Sequence, residues 1–170
     1  TTNMQLWNAH NPFRVCLLLP DGYMVLWDYV RTAHLSAFNP LVRDVRDMAG
    51  LFYFSAGDQA HDRAESLADQ VIDLMKAHGA GDNRRIAVDK MQLHGIRSLE
   101  ARGLEVMDGE ELTEKTRAIK GLDEIHAMRC AMHACEKAMH AMEAAVRPGI
   151  TEVDAWAVLQ SANFIRGGEW

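Results

Sequence analysis

The chain has 170 residues, 48% of them hydrophobic and 25% charged, with a formal net charge of −6. That is ample for one sizeable domain or for one domain and part of another. It excludes a basic nucleic-acid-binding surface, and no apolar run approaches the roughly 20 residues a membrane-spanning helix needs.

The first element signalled is a hairpin. In "FRVCLLLPDGYMVLWDY" two apolar runs flank Pro20-Asp21-Gly22, where Pro presets φ and Gly supplies a positive one. Phe13 to Leu19 is expected to pair with Tyr23 to Trp27. "LFYFSAG" reads as a third short strand around Leu51 to Phe54. "DRAESLADQVIDLMKAHGAG" reads as a helix with Leu67, Val71, Leu74 and Met75 on one face and Gly79 at its end. "RRIAVDK" follows as a buried strand, "MQLHGIRSLEARG" as a helix stopped at Gly103, and "LEVMDG" as one more strand. Strands alternating with helices predict an α/β layered domain, a mixed sheet with flanking helices.

From Glu110 the pattern turns helical. "GEELTEKTRAIK" is a charged helix interrupted at Gly121. A long amphipathic helix follows from Leu122 to Val146, with Ile125, Met128, Met132, Cys135, Met139 and Met142 as its apolar stripe. Pro148 and Gly149 stop it. Thr151 then caps a new helix, with Asp154 in the place of the usual capping-box Glu. A domain boundary is expected near Lys120, giving segments 1–120 and 121–170.

Chemistry-bearing residues are sparse. His126, His133 and His140 recur every seven residues on one helix face, about 10.5 Å apart, too far to share one ion. Glu136 and His140 stand at i, i+4 and could join a third ligand, but a solvated face is the expectation. No nucleophile elbow, phosphate loop or dinucleotide fingerprint occurs. Cys16, Cys130 and Cys135 form no CxxC pair, so buried thiols in a reducing cytoplasm are expected. Nothing from Thr1 onward has the form of a signal peptide. The segment "NMQLWNAHNPFR" gathers Trp7, Asn8, His10, Asn11 and Arg14 before the first strand; composition favours a surface loop with Trp7 packed under it, and a pocket-lining loop is the functional alternative. At the other terminus, Trp170 follows Gly167 and Gly168.

One stretch carries a resemblance. Arg117, Ile119, Lys120, Glu124, Ile125, Met128, Arg129, Pro148, Gly149, Thr151 and Glu152 follow the pattern of the domain junction in the creatinase/prolidase (pita-bread metallopeptidase) superfamily. Thr2 to Arg14, Asp21 to Tyr29, Phe38 to Arg43, Ala87 to Lys90 and Arg166 to Trp170 make the chain similar to the dimethylsulfoniopropionate (DMSP) lyases of the DddP type within it. The resemblance implies a creatinase-like N-terminal α/β domain over 1–120 whose start is missing, then the first helices of a truncated α+β pita-bread domain over 121–170. It implies a homodimeric enzyme that cleaves DMSP to dimethyl sulfide and acrylate by β-elimination. A divalent or ferric metal, iron by resemblance, would serve the full-length enzyme, with no ligand in this segment and hence no activity of its own. Trp170 and Trp7 are implied as substrate-binding residues, since aromatic faces attract a sulfonium cation. A creatinase or Xaa-Pro peptidase-type metallohydrolase and a non-catalytic dimerisation or binding module are the alternatives.

Overall fold

The computed structural model describes residues 14–31, 33–48, 50–80 and 82–168, the side chain of Leu35 apart. Contacts divide the chain into a unit Thr1–Lys115 and a unit Thr116–Trp170. The class is mixed α/β, as the alternation of strands and helices predicts.

In the first unit, β1 (Val15–Leu18) and β2 (Met24–Asp28) form the expected antiparallel hairpin, with Val15 opposite Trp27 and Leu18 opposite Met24. The turn closes by Gly22 N–H donating to the Leu19 carbonyl at 2.9 Å, and Asp21 Oδ1 accepts Tyr23 N–H at 2.9 Å. After the short helix α1 (Ala33–Ser36), β3 (Val42–Asp47) pairs with β2 in parallel, giving the order β1-β2-β3. Its sequence, VRDVRD, carries no strand signal. It lies at the edge of its sheet, where charged residues are tolerated and discourage pairing with other chains.

The strand expected at Leu51 to Phe54 is not one. Leu51 and Phe52 are both buried and Tyr53 and Phe54 both exposed, which two-residue alternation forbids. The chain bends there into a single helical turn, α2 (Tyr53–Ala56), and a 3₁₀ turn (Gly57–Gln59).

Helix α3 (Ala60–Ala77) buries Leu67, Val71, Leu74 and Met75 as read, together with Ala64 and Ala68. Strand β4 (Arg85–Val88), helix α4 (Leu93–Ala101) and strand β5 (Glu105–Asp108) follow, with β4 and β5 a parallel pair. Strand β4 is not buried through: only Ile86 and Val88 are half-buried, while Arg85 and Ala87 face out. Helix α4 ends at Gly103, whose φ of +81° lets Leu104 N–H return to the Leu99 carbonyl and Gly103 N–H to that of Glu100. One core joins both strand groups to α3 and α4 through Trp27, Leu51, Leu67, Val71, Leu99 and Leu104.

Trp27 is 1% exposed. A buried indole N–H needs an acceptor, and Trp27 Nε1 donates to Gln70 Oε1 of α3 at 3.0 Å. The same oxygen accepts Arg46 Nη1 at 3.0 Å, with the Arg46 guanidinium 5.7 Å from the Trp27 ring centre. Arg102 fastens α4 to α3, donating from Nε and Nη2 to the two carboxylate oxygens of Asp69 at 2.5 and 2.8 Å. These bonds hold the Asp69 carboxyl below its ordinary value.

In the second unit, helix α5 (Glu110–Ala118) runs in from the first, and α6 (Leu122–Ala145) packs on α7 (Glu152–Phe164). Thr151 caps α7 as read: its Oγ1 accepts Asp154 N–H at 3.1 Å, and Asp154 Oδ2 accepts Thr151 N–H at 3.2 Å. The two helices meet over the alanine face of α6, where Ala138 is buried and Ala134, Ala141, Met142 and Ala145 are half-buried. The stripe of Met128, Met132, Cys135 and Met139 is exposed instead. Cys130 and Cys135, expected to be buried, are exposed because small residues make the closer helix contact; Cys16 on β1 is exposed as well. Among the described residues no helix is long and apolar enough to cross a membrane.

Two outcomes follow. Gln70→Leu keeps the volume but leaves the Trp27 N–H buried without an acceptor; urea unfolding should show a loss of about 1–3 kcal/mol. The Asp69–Arg102 pair stabilises above the unfolded carboxyl pKa of about 3.9, and that contribution disappears as pH falls through the lower folded value. The difference in melting temperature between the wild type and Arg102→Leu should therefore shrink on going from pH 6 to pH 2.5.

Candidate functional site

The two tryptophans named from the sequence, Trp7 and Trp170, lie outside the described residues. What the structure describes is the attachment of the segments that carry them.

The segment holding Trp7 ends at Arg14, and Arg14 is pinned. Its Nε donates to Asp28 Oδ1 at 2.5 Å, and the backbone N–H of Tyr29 donates to the same oxygen at 2.7 Å. Asp28, the last residue of β2, is 0% exposed. Burying a carboxylate is expensive unless a cation and further donors meet it, and both donors here converge on one oxygen. Among the described residues Asp28 Oδ2 has no partner. Burial raises the neighbouring Tyr29 hydroxyl above its ordinary pKa; the Arg14 charge opposes that rise and the Asp28 charge adds to it.

At the far end, α7 is stopped by the glycine pair. Gly167 has φ +79°, and Gly168 N–H returns to the Asn163 carbonyl at 3.0 Å. A Cβ on Gly168 would fall 2.1 Å from Asn163 Oδ1. The positive φ of Gly167 favours glycine, whereas at Gly168 the close atoms all belong to the Asn163 side chain, which can turn aside. From the sequence alone the pair carries only a weak loop signal.

The histidines of α6 stay apart. His140 Nδ1 lies 3.4 Å from Glu143 Oε2 on the exposed surface, and His126 and His133 are exposed. Among the described residues no three His, Cys, Asp or Glu side chains come together as a metal site would require.

Sequence reading missed a cavity of about 220 Å³ in the first unit, lined by Trp27, Asp47, Met48, Arg63, Ser66 and Gln70 among others. It opens at the carboxyl ends of the parallel strands β2 and β3, against α3. Its members are distant in sequence, and the parallel partner strand that supplies Asp47 carried no signal.

No protein-family model matches the chain. Over its whole length, however, the chain is similar to lyases that act on dimethylsulfoniopropionate. It is 58% identical to dimethylsulfoniopropionate lyase DddP of Roseovarius nubinhibens and 57% identical to that of Roseobacter denitrificans, each over 175 aligned residues. Each alignment covers 100% of this chain and 39% of the relative, so the chain spans well under half of their length. The DddP-type resemblance read from the sequence thus holds along the entire chain.

The Arg14–Asp28 pair is directly testable. Arg14→Met leaves Asp28 buried without its cation and should destabilise the protein by about 3–5 kcal/mol in urea unfolding. Adding Asp28→Asn should recover part of that loss.

Proposed function

We propose that this chain is part of a lyase that splits dimethylsulfoniopropionate into dimethyl sulfide and acrylate. The observation that supports this reading is the 58% identity to such a lyase over an alignment that covers the whole of this chain. On this reading, segment 1–120 is a creatinase-like N-terminal domain and segment 121–170 the start of a pita-bread domain. The exposed methionine stripe of α6 is then covered by the rest of the protein, since exposed apolar stripes of this length otherwise drive association. A cytoplasmic homodimer is part of the same reading.

The reaction is a β-elimination. A base removes a proton from the carbon next to the carboxylate, the freed pair forms the C=C bond, and the C–S bond breaks. Dimethyl sulfide leaves with the bonding pair, and acrylate and the protonated base remain. The metal that the resemblance implies does not fit the described residues, which assemble no ligand set, and no step is assigned to it. The contribution of this chain is to binding. Trp170 lines the pocket of its own subunit, and Trp7 reaches the partner's, each offering an aromatic face to the sulfonium. Arg14 anchors the segment of Trp7, and Gly167 with Gly168 aims the segment of Trp170.

The test uses the complete protein, with dimethyl sulfide release followed by gas chromatography. Trp170→Ala should raise KM roughly tenfold, in line with a cation–π contribution of about 0.5–2 kcal/mol, while Trp170→Phe recovers most of it. An unchanged KM in Trp170→Ala would remove that residue from the site. No dimethyl sulfide from the wild-type protein would sink the lyase reading itself.

A further inference from the structure

The cavity beside Trp27 holds two opposite charges that do not neutralise each other. Arg63, on the first turns of α3, and Asp47, at the end of β3, both line it. No ion pair joins them. Arg63 Nη2 donates to the neutral Gln59 Oε1 at 2.8 Å, and Arg63 Nη1 is buried with no partner among the described residues. Asp47 Oδ1 accepts the backbone N–H of Arg31 at 3.3 Å, and Arg31 is held at φ +68°, a conformation that side-chain-bearing residues rarely adopt. A buried guanidinium donor left unmade costs stability unless something takes it up.

The surroundings narrow what that is. Met48, Leu67 and Val30 give apolar wall. The second cation nearby is already engaged: Arg46 Nε is on Asp44 Oδ2 at 2.7 Å, and its Nη1 is on Gln70. Ser66 Oγ accepts Gln70 Nε2 at 3.3 Å, which leaves its own proton to give. The volume lies below the range of about 300–1,000 Å³ typical of drug-sized ligands, so an occupant has only a handful of heavy atoms. The position, outside the carboxyl ends of parallel strands, is where open α/β sheets bind ligands.

We propose that this cavity binds a small ammonium carboxylate, its carboxylate on Arg63 and Ser66 and its ammonium on Asp47. A rotation of the guanidinium lets the carboxylate take the Nη1 donor that has no partner. Asp47 disfavours a plain anion, Arg63 disfavours a plain cation, and a zwitterion with a short apolar spacer satisfies both. This inference is independent of the lyase reading.

The test is a titration of the 170-residue chain with β-alanine, followed by ¹H–¹⁵N NMR at the Trp27 indole and the Gln70 amide. Propionate and ethylammonium chloride are the single-charge controls. Saturable shifts are expected with β-alanine, and at least tenfold weaker binding with either control. Arg63→Gln and Asp47→Asn should each weaken β-alanine binding at least tenfold. Ser66→Leu, at an exposed helical position, should abolish it by filling the space while the rest of the spectrum is unchanged, which covers the case of a charge variant that fails to fold. Propionate binding as tightly as β-alanine, affinity within twofold of wild type in Ser66→Leu, or no saturable shift with β-alanine would each overturn the proposal.

Discussion

The first unit depends on burying one indole. Trp27 stands at the end of the central strand, and its N–H can be taken from water only if an acceptor is placed in the core with it. Gln70 is that acceptor, and it sits mid-way along α3. The bond therefore fixes the rotation and the height of the helix over the sheet. Arg46, from the edge strand, donates to the same oxygen, so one amide holds two strands and a helix in register. Hydrophobic burial by Leu67, Val71 and Leu74 supplies most of the driving force, but it is non-directional. The hydrogen bonds decide which of many greasy packings is used.

That constraint also makes the cavity. Because Gln70 is drawn down to Trp27, the residues one and two turns earlier on α3, the exposed Ser66 and the half-buried Arg63, line the cavity at the ends of β2 and β3. The parallel pairing of β2 with β3 brings Asp47 beside Asp28 in the ladder. The two carboxylates then have different fates. Asp28 is buried and met by Arg14, so it anchors the preceding segment. Among the described residues Asp47 accepts only the backbone N–H of Arg31, and it lines the cavity with Arg63 without pairing to it.

Elements with a local chemical cause were legible in the sequence. The hairpin follows from Pro20-Asp21-Gly22, α3 from its apolar spacing, the end of α4 from Gly103, and the start of α7 from Thr151 and Asp154. What failed depends on partners far along the chain. The strand VRDVRD is polar, and only pairing with β2 makes it one. Leu51 to Phe54 is apolar throughout, and only the burial of two successive residues followed by the exposure of the next two shows that it is a bend. The α6 stripe was chosen by hydrophobicity, whereas helix contact selects by size, so Ala138 and not Cys135 went inside. The site was legible to the same degree. Glycines 167 and 168 gave too little signal to be read as a helix stop, and the cavity residues share no sequence neighbourhood at all.

What the described residues of this chain show is anchoring. Neither a metal ligand set nor a nucleophile–base pair is assembled by the described residues, yet 58% identity to lyases persists over the whole chain. The structure shows restrictions of another kind: the Arg14–Asp28 pair and the Trp27–Gln70 bond tolerate few substitutions without a buried charge or an unmade hydrogen bond, and the positive φ of Gly167 favours glycine. These restrictions act on scaffold geometry rather than on reacting atoms. A β-elimination asks for a cationic leaving group held still while a proton is taken from the adjacent carbon, and holding a cation still is a matter of where an aromatic face is placed. That is the role proposed for Trp7 and Trp170, and the exposed His126, His133 and His140 of α6, seven residues apart, offer no such face.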